Sequence, residues 1–202
     1  MECRLWDAGK LRVVGVDEAG VGPLAGPIVA AACLIPPRCQ TIDGVRDSKL
    51  LTPARREQLY QEIVRQAVAI GVGAASVREI DRLNVLRASH LAMRRALARV
   101  GGYDHALVDG RPIRDADLGP HTTVVDGDAS SYAIACASIV AKVTRDRLMR
   151  KLAARYPVYG WDHNAGYCTR EHVEAIRTHG TCAHHRQLFV ASALSHYPPG
   201  RG

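Results

Sequence analysis

Asp17 and Glu18 in VVGVDEAG, Asp109 in HALVDG and Asp128 in VVDGDAS each follow a short, apolar, β-branched run. Residues 11–16, 105–108 and 122–125 read as buried strands. The chain therefore delivers carboxylates at strand ends, beside a hydrophobic core where unpaired charge is costly. One such acid is an ordinary helix cap or turn residue. Three or four that converge on one sheet edge need a compensating cation, and hard oxygen ligands of this kind suit Mg2+ or Mn2+. The pattern points to a metal-dependent enzyme.

The elements that must position these acids follow from the same pattern. Residues 28–35 read as a second strand, joined to the first by the glycine-rich loop 19–27 and ended by Pro36 and Pro37. Thr52 reads as an N-cap with Pro53 at the first helical position, and Gly71 as the C-terminal stop. Between them Leu59, Ile63, Ala67 and Ile70 form an apolar stripe at helical spacing. A short strand over 70–77 follows, then a helix near 77–83 opened by a Ser76–Glu79 capping box. Asn84 caps the next helix, with Leu86, Leu91 and Leu97 inward and Arg87, Arg94, Arg95 and Arg99 outward. Gly101–Gly102 breaks it. Residues 130–155 read as one long helix, apolar at its start and basic later, closed by Pro157. Two short helices, 169–178 and 186–194, complete the chain. Strands that alternate with helices after an initial hairpin predict an α/β fold with a mixed sheet flanked by helices, of the ribonuclease H-like class, carrying a small C-terminal helical extension. The expected organisation is one domain over residues 1–202, with a core at about 11–155 and a helical substrate-binding part at about 156–202.

Composition narrows the partner. Of 202 residues, 47% are hydrophobic but only 5% aromatic, with Phe189 the lone phenylalanine, so Ala, Val, Leu and Ile must fill the core. Lys and Arg total 27 against 20 Asp and Glu, a net charge of +7. A basic surface beside an acidic metal site suits a polyanion, nucleic acid above all; a merely basic protein is the plainer reading. The six cysteines include no C-x-x-C pair, and the polar start MECRLWDAGK is no signal peptide, which together favour a reduced cytoplasmic setting. No apolar run reaches the roughly 18 residues of a membrane span.

Six motifs in order are more specific than the pattern. GVDEAGVGPLAGP (15–27), DSKLL (47–51), LVDG (107–110), GDASSYAIACASIVAKVTRD (127–146), GYCTREH (166–172) and HHRQLF (184–189) closely resemble the type 2 ribonucleases H, ribonuclease HII of bacteria. The resemblance runs from about residue 11 to about 190. It implies hydrolysis of the RNA strand of RNA–DNA hybrids and cleavage beside single ribonucleotides in duplex DNA. It implies metal binding by Asp17, Glu18 and Asp109, with Asp128 as the fourth acid, and a two-metal mechanism with Mn2+ or Mg2+ in which the ions activate water and neutralise the departing 3′ oxygen. Adjacent Asp17 and Glu18 point to opposite faces of a regular strand. They share a site only if the strand end is irregular or a backbone carbonyl contributes.

The same resemblance assigns substrate contacts to Gly20, Val21, Gly22, Ser48, Lys49, Lys142 and Tyr167. The family's Gly-Arg-Gly is here Gly20-Val21-Gly22, which keeps close backbone approach but loses a charged phosphate contact. Lys142 and Arg145 read either as groups that position phosphate or support the acidic cluster, or as a solvated helix face, Arg145 having Asp146 or another acid as an alternative local partner. Tyr167 is expected to pack against the sugar after the ribonucleotide. Cys168 stands where the family has a glycine, which constrains the turn if that glycine needs a positive φ. Asp126 reads as a solvent-facing turn residue.

Three other readings remain open. Cys168, His172, His179, Cys182, His184 and His185 contain zinc-ligand types, though the spacing is irregular, and the histidines otherwise read as part of a basic surface. A non-catalytic nucleic-acid-binding module needs a broken acidic site, and all four positions are filled. A DNA-cutting nuclease of the wider superfamily is the better rival. A monomer is expected.

Overall fold

The computed structural model describes residues 1–45, 51–111 and 117–196; Ser48 and Lys49 lie outside them. A short helix α1 (Glu2–Asp7) precedes the hairpin of β1 (Val13–Ala19) and β2 (Ile28–Leu34). Helix α2 (Pro53–Gln66) and β3 (Ala69–Ala75) follow, then α3 (Val77–Leu83) and α4 (Val85–Val100). After β4 (His105–Asp109) and β5 (His121–Val124) come α5 (Gly127–Ser130), the 24-residue α6 (Tyr132–Arg155) and a 3-10 turn, Pro157–Tyr159. Helices α7 (Trp161–Asn164), α8 (Arg170–His179) and α9 (Gln187–His196) form the C-terminal part.

The five strands lie in the order β3-β2-β1-β4-β5. β1–β2 and β2–β3 are antiparallel, whereas β1–β4 and β4–β5 are parallel. The sheet is thus mixed and flanked by helices on both faces. Val14 and Val16 of β1 pack with Ala88, Ala92, Met93 and Ala96 of α4. Ala31 and Cys33 of β2 pack with α2 and α6 on the other face. Helix α6 is apolar all round in its first half, as a helix sandwiched in a core must be. It lies so close to β1 that a Cβ on Gly15 would collide with the Ala133 carbonyl. That contact sets where α6 stands relative to the end of β1.

Several local expectations are met for the reasons given. Thr52 accepts from Arg55 N, the Ser76–Glu79 box is closed in both directions, and Asn84 accepts from Arg87 N. Others are corrected. Gly71 does not stop a helix: α2 ends at Gln66, and Gly71 lies within β3. Its missing side chain admits the Ala96 carbonyl of α4, as Gly73 admits that of Ala92. These glycines serve close packing of a helix on a sheet. Leu86 is 62% exposed rather than inward, and the buried stripe of α4 is carried by Ala88, Ala92, Met93, Ala96 and Leu97. The expected helix over 130–155 is α6, which opens two residues later than expected: Ser131 leaves helical geometry after the short α5 and caps α6 by accepting from Ile134 N.

Helix α1 was not foreseen. Its Leu5 and Trp6 pack against Val13, Leu107, Val124 and Ile134. Glu2 Oε1 accepts from Ser131 Oγ at 2.7 Å and Ala133 N at 2.8 Å, so a buried carboxylate satisfies the N-terminus of α6.

Candidate active site

The parallel register of β1 and β4 creates the acidic cluster. Val16 partners Val108, so the next residue on each strand, Asp17 and Asp109, emerges side by side. Asp17 is buried, 7% exposed, and faces α6, where Ser138 hydrogen-bonds to it. Its Oδ1 also accepts from Glu18 N at 2.7 Å. Glu18 continues the face of Val14 and Val16 toward α4 and Ser89. Regular pleating thus sends the two neighbours to opposite faces, and the irregular strand end that the sequence calls for is not found; they come together at the sheet edge instead, where Asp109 lies close enough to repel both. Asp109 is half-buried; its Oδ1 accepts from Gly127 N at 2.7 Å, which ties the end of β4 to the start of α5. A Cβ on Gly127 would crowd Ile134 and Asp109. Asp128 follows in the first turn of α5 and is 9% exposed, whereas Asp126 is exposed in left-handed geometry with φ of 51°.

The electrostatics of this cluster are unfavourable as it stands. Burial pushes Asp17 well above the ordinary carboxylate range, and repulsion from Glu18 and Asp109 adds to it. Burial and then Asp109 push Glu18 up to about 7. Glu18 Oε2 is buried without a hydrogen-bond partner, and Ser89 Oγ beside it closes no bond of good geometry. An unpartnered buried carboxylate oxygen among like charges is a place where positive charge is missing. The oxygen donors fit Mg2+ or Mn2+. Among the described residues no group of three His, Cys, Asp or Glu side chains is by itself arranged to hold a metal ion. Mg2+ characteristically takes one or two carboxylates and completes its shell with water and substrate phosphate. Glu18 and Asp109 line a cleft of about 520 Å³, together with Val21, Leu86, His90 and Arg111.

The glycine-rich loop adjoins the cluster. Val21 is 38% exposed and Gly22 is exposed, while residues 23–26 are buried. Gly166 O accepts from Leu24 N at 2.8 Å, so the loop is tied to the segment carrying Tyr167. The Tyr167 ring is 44% exposed, with Lys142 Nζ and the Arg145 guanidinium carbon each 5.9 Å from its centroid. Lys142 is half-buried and pairs with Asp146 at 2.8 Å. The structure thus gathers Gly20, Val21, Gly22, Lys142 and Tyr167 around one end of the sheet and α6. Cys168 is not among the residues with positive φ; Gly166, with φ of 82°, takes the left-handed position, so the substitution leaves the turn unstrained.

Two sequence readings are corrected here. Arg145 neither faces solvent nor pairs with an acid within ion-pair distance among the described residues. It is fully buried and donates to the carbonyls of Pro27, Ala165 and Ala25 at 3.0–3.1 Å. The C-terminal histidines are not simply a basic surface, because His172 and His185 are buried. Trp161 Nε1 donates to His172 Nε2 at 3.0 Å, and His172 Nδ1 meets the Tyr167 carbonyl at 2.9 Å. The ring must donate at Nδ1 to satisfy that carbonyl, leaving Nε2 as acceptor. His185 completes the pattern, Nε2 to Nε2 at 3.1 Å, while its Nδ1 accepts from Cys182 N at 3.0 Å. Burial and neighbouring histidines push His185 down to about 4. Ring nitrogens committed in this way leave no zinc site among the described residues.

Sequence reasoning missed Arg186. It is fully buried and donates to Val21 O at 2.7 Å, Gly20 O at 2.5 Å, and Gly26 O at 2.9 Å from Nη2 and 3.1 Å from Nε. Its signal was an arginine set between apolar helix residues and a histidine pair, with no acid at helical spacing.

The comparisons agree with this geometry. The family model for ribonuclease HII matches residues 14–192. Ribonuclease HII of Thermosynechococcus vestitus is 52% identical over 189 residues, covering 94% of this chain and 88% of the relative. That of Ruegeria pomeroyi is 50% identical over 190 residues, covering 94% and 80%. The crystal structure of the ribonuclease H2 from Pyrococcus horikoshii OT3 superposes with a TM-score of 0.69 at 25% identity, covering 92% of this chain and 98% of that one. With the match spanning the strands of the mixed sheet and Asp17, Glu18 and Asp109 at its edge, the chain belongs to the ribonuclease HII family, metal-dependent endonucleases that cut the RNA of RNA–DNA hybrids.

Proposed function

We propose that this chain cuts beside single ribonucleotides embedded in duplex DNA as well as within RNA–DNA hybrids, with Asp17, Glu18, Asp109 and Asp128 holding two divalent ions, Mg2+ or Mn2+, in the reacting complex. The observation that carries the proposal is the β1–β4 register, which sets Asp17 and Asp109 side by side with Glu18 next to them; burial and mutual repulsion raise the proton affinities of Asp17 and Glu18. The bound ions supply an activated water and offset charge on the leaving 3′ oxygen.

The chain's own residues do the rest. Asp17 is held by Ser138 and by the Glu18 amide, so its orientation is set before any substrate arrives. Asp109 is held by Gly127 N, which also fixes the first turn of α5 and hence Asp128. Gly22, exposed and with open space where a side chain would stand, permits close backbone approach at the ribose, whereas Gly20 is buried against Arg145 and shapes the loop from behind; the 2′-OH is what separates ribose from deoxyribose. Tyr167 offers an exposed ring at the far side of the loop, where a sugar lacking that hydroxyl can pack. Lys142 supplies positive charge beside it for a phosphate.

One assay tests this reading. A duplex with one ribonucleotide, an RNA–DNA hybrid and an all-DNA duplex are each incubated with Mg2+, Mn2+ or chelator. The proposal expects cleavage of the first two with either metal, none with chelator, and none of the all-DNA duplex. Cleavage of the all-DNA duplex would favour the DNA-nuclease reading, and cleavage confined to the hybrid would remove the embedded-ribonucleotide activity.

A further inference from the structure

Arg145 and Arg186 are two full charges at zero exposure, and neither reaches a carboxylate within ion-pair distance among the described residues. Burying an unpaired charge is expensive. Here the cost is offset by main-chain carbonyls, with one aromatic ring beside each guanidinium: Ala25, Pro27 and Ala165 with Tyr167 for Arg145, and Gly20, Val21 and Gly26 with Phe189 for Arg186. Five of those six carbonyls belong to the glycine-rich loop. The fit is tight, since a Cβ on Gly20, at φ of 94°, would land on Arg145 Nε, and one on Gly26 would meet the Met149 sulfur.

Peptide planarity gives this arrangement a direction. In a trans peptide the C=O of one residue and the N–H of the next point oppositely, and the described chain has no cis peptide. With Gly20 O and Val21 O turned inward onto Arg186, the N–H groups of Val21 and Gly22 must turn outward. Both residues are exposed, and Val21 borders the cleft that Glu18 and Asp109 line. Outward N–H groups on successive residues make a small anion-attracting concavity. A cation hydrogen-bonded to the far end of each peptide polarises it and strengthens the donor.

We infer that Arg186 is a positioning residue for ribonucleotide recognition, holding the Val21 and Gly22 amides outward as paired donors to the ribose hydroxyl and its adjoining phosphate. This inference rests on the substrate reading above and adds the group that aims the loop. It also accounts for how a loop lacking the family's arginine keeps a positive character: the charge lies behind the loop, delivered through its peptides. Lysine at 186 retains the charge but not the planar fork, and it cannot serve Gly20, Val21 and Gly26 together.

The experiment compares wild type, Arg186→Lys and the core-cavity variant Ile63→Ala, which lies between α2 and α6 and away from the loop. Binding to a duplex with one ribonucleotide and to the same duplex in DNA is measured without metal. Thermal melts are recorded, and kcat and KM are taken with Mn2+. Arg186→Lys is expected to lower the ribo-to-deoxy binding ratio by at least about fivefold, and to raise KM about tenfold while kcat changes less than threefold. Ile63→Ala is expected to keep the wild-type ratio at a similar loss of melting temperature. An unchanged ratio in Arg186→Lys, or an equal fall in both variants, overturns the inference.

If Arg186→Lys fails to fold, the wild-type protein decides. Amide chemical shifts of Val21 and Gly22 should move with the ribonucleotide duplex and move less with the DNA duplex. Shifts that are the same for both overturn the inference. Failure of the parent reading is separate: wild-type protein would then not cleave either ribonucleotide substrate.

Discussion

Asp17 stands beside Asp109 because β1 and β4 run parallel and in register at Val16 and Val108, one residue earlier on each strand. Two carboxylates are thereby held at a sheet edge by main-chain hydrogen bonding, the most rigid support a fold offers. The arrangement costs stability without a cation, and most of the predictions below follow from that cost.

The metal-free protein should gain stability on Asp17→Asn. Asp17 is held well above its ordinary value by burial, Glu18 and Asp109, so its ionised form is disfavoured in the fold. The amide keeps the volume and removes the charge. A gain on the order of 1 kcal/mol, or about 2–4 °C in Tm, is expected at pH 8. Calorimetry in chelator checks it; a fall in Tm would mean that the carboxylate is satisfied without metal.

Glu18 gives the stability a pH slope. Its folded value of about 7 lies above its ordinary 4.5, so its contribution is favourable below the ordinary value and is lost as pH rises through about 7. In chelator, the wild-type Tm should decline between those limits, and Glu18→Gln should flatten the decline. Saturating Mn2+ should reverse it, because the metal binds the deprotonated form. Melting curves at four pH values, with and without Mn2+, measure both effects.

The histidine pair should act at the acid end with the opposite sense. His185, pushed down to about 4, and His172, also lowered, are neutral in the fold. A base with a depressed value supports the fold above its ordinary pH of about 6.5 and loses that support as pH falls toward 4. The faces around them carry Trp161, Tyr159, Cys182 and His184; the one carboxylate felt by the pair, Glu171 beside His172, is exposed and does not overcome the effect of burial. His185→Gln should therefore show a shallower loss of Tm between pH 6.5 and 4.5 than wild type.

Asp126 and Asp128 should differ sharply. Asp126 is exposed and left-handed, a geometry asparagine adopts readily, so Asp126→Asn should change cleavage less than about tenfold. Asp128 is buried in α5 next to Gly127, whose amide binds Asp109, and Asp128→Asn should cost far more. Reversed severities would exchange their roles. At Val21, arginine should tighten substrate binding and steepen its salt dependence by one phosphate contact, a slope change near 0.9. An unchanged slope would mean that the positive potential from Arg186 already fills that role.

What the sequence reveals here follows physical lines. The acids were legible because a strand that ends in a carboxylate is conspicuous against apolar, β-branched residues. The caps at Thr52, Ser76 and Asn84 were legible because capping is local in sequence. Gly71 was misread because a glycine that stops a helix and one that admits a helix onto a sheet look alike until the partner carbonyl, Ala96 O, is known. Leu86 was misplaced inward because the stripe of α4 is built from alanines, which carry little hydrophobic signal. Arg145 and Arg186 were hidden by the rule that charge lies outside. Five of their six carbonyl partners lie 118–166 residues away in sequence and the sixth, Ala165, 20 away, all beyond any local pattern.

The most direct test of the acidic cluster is the single-turnover cleavage rate of Asp17→Asn and Asp109→Asn on a duplex with one ribonucleotide, at saturating Mn2+. Both variants should fold, and both should bind the duplex within about threefold of wild type. Each should cleave at least about a hundredfold more slowly, since each removes a charged oxygen donor at constant volume. A near-wild-type rate in either variant would contradict the assignment of that carboxylate to the metal site.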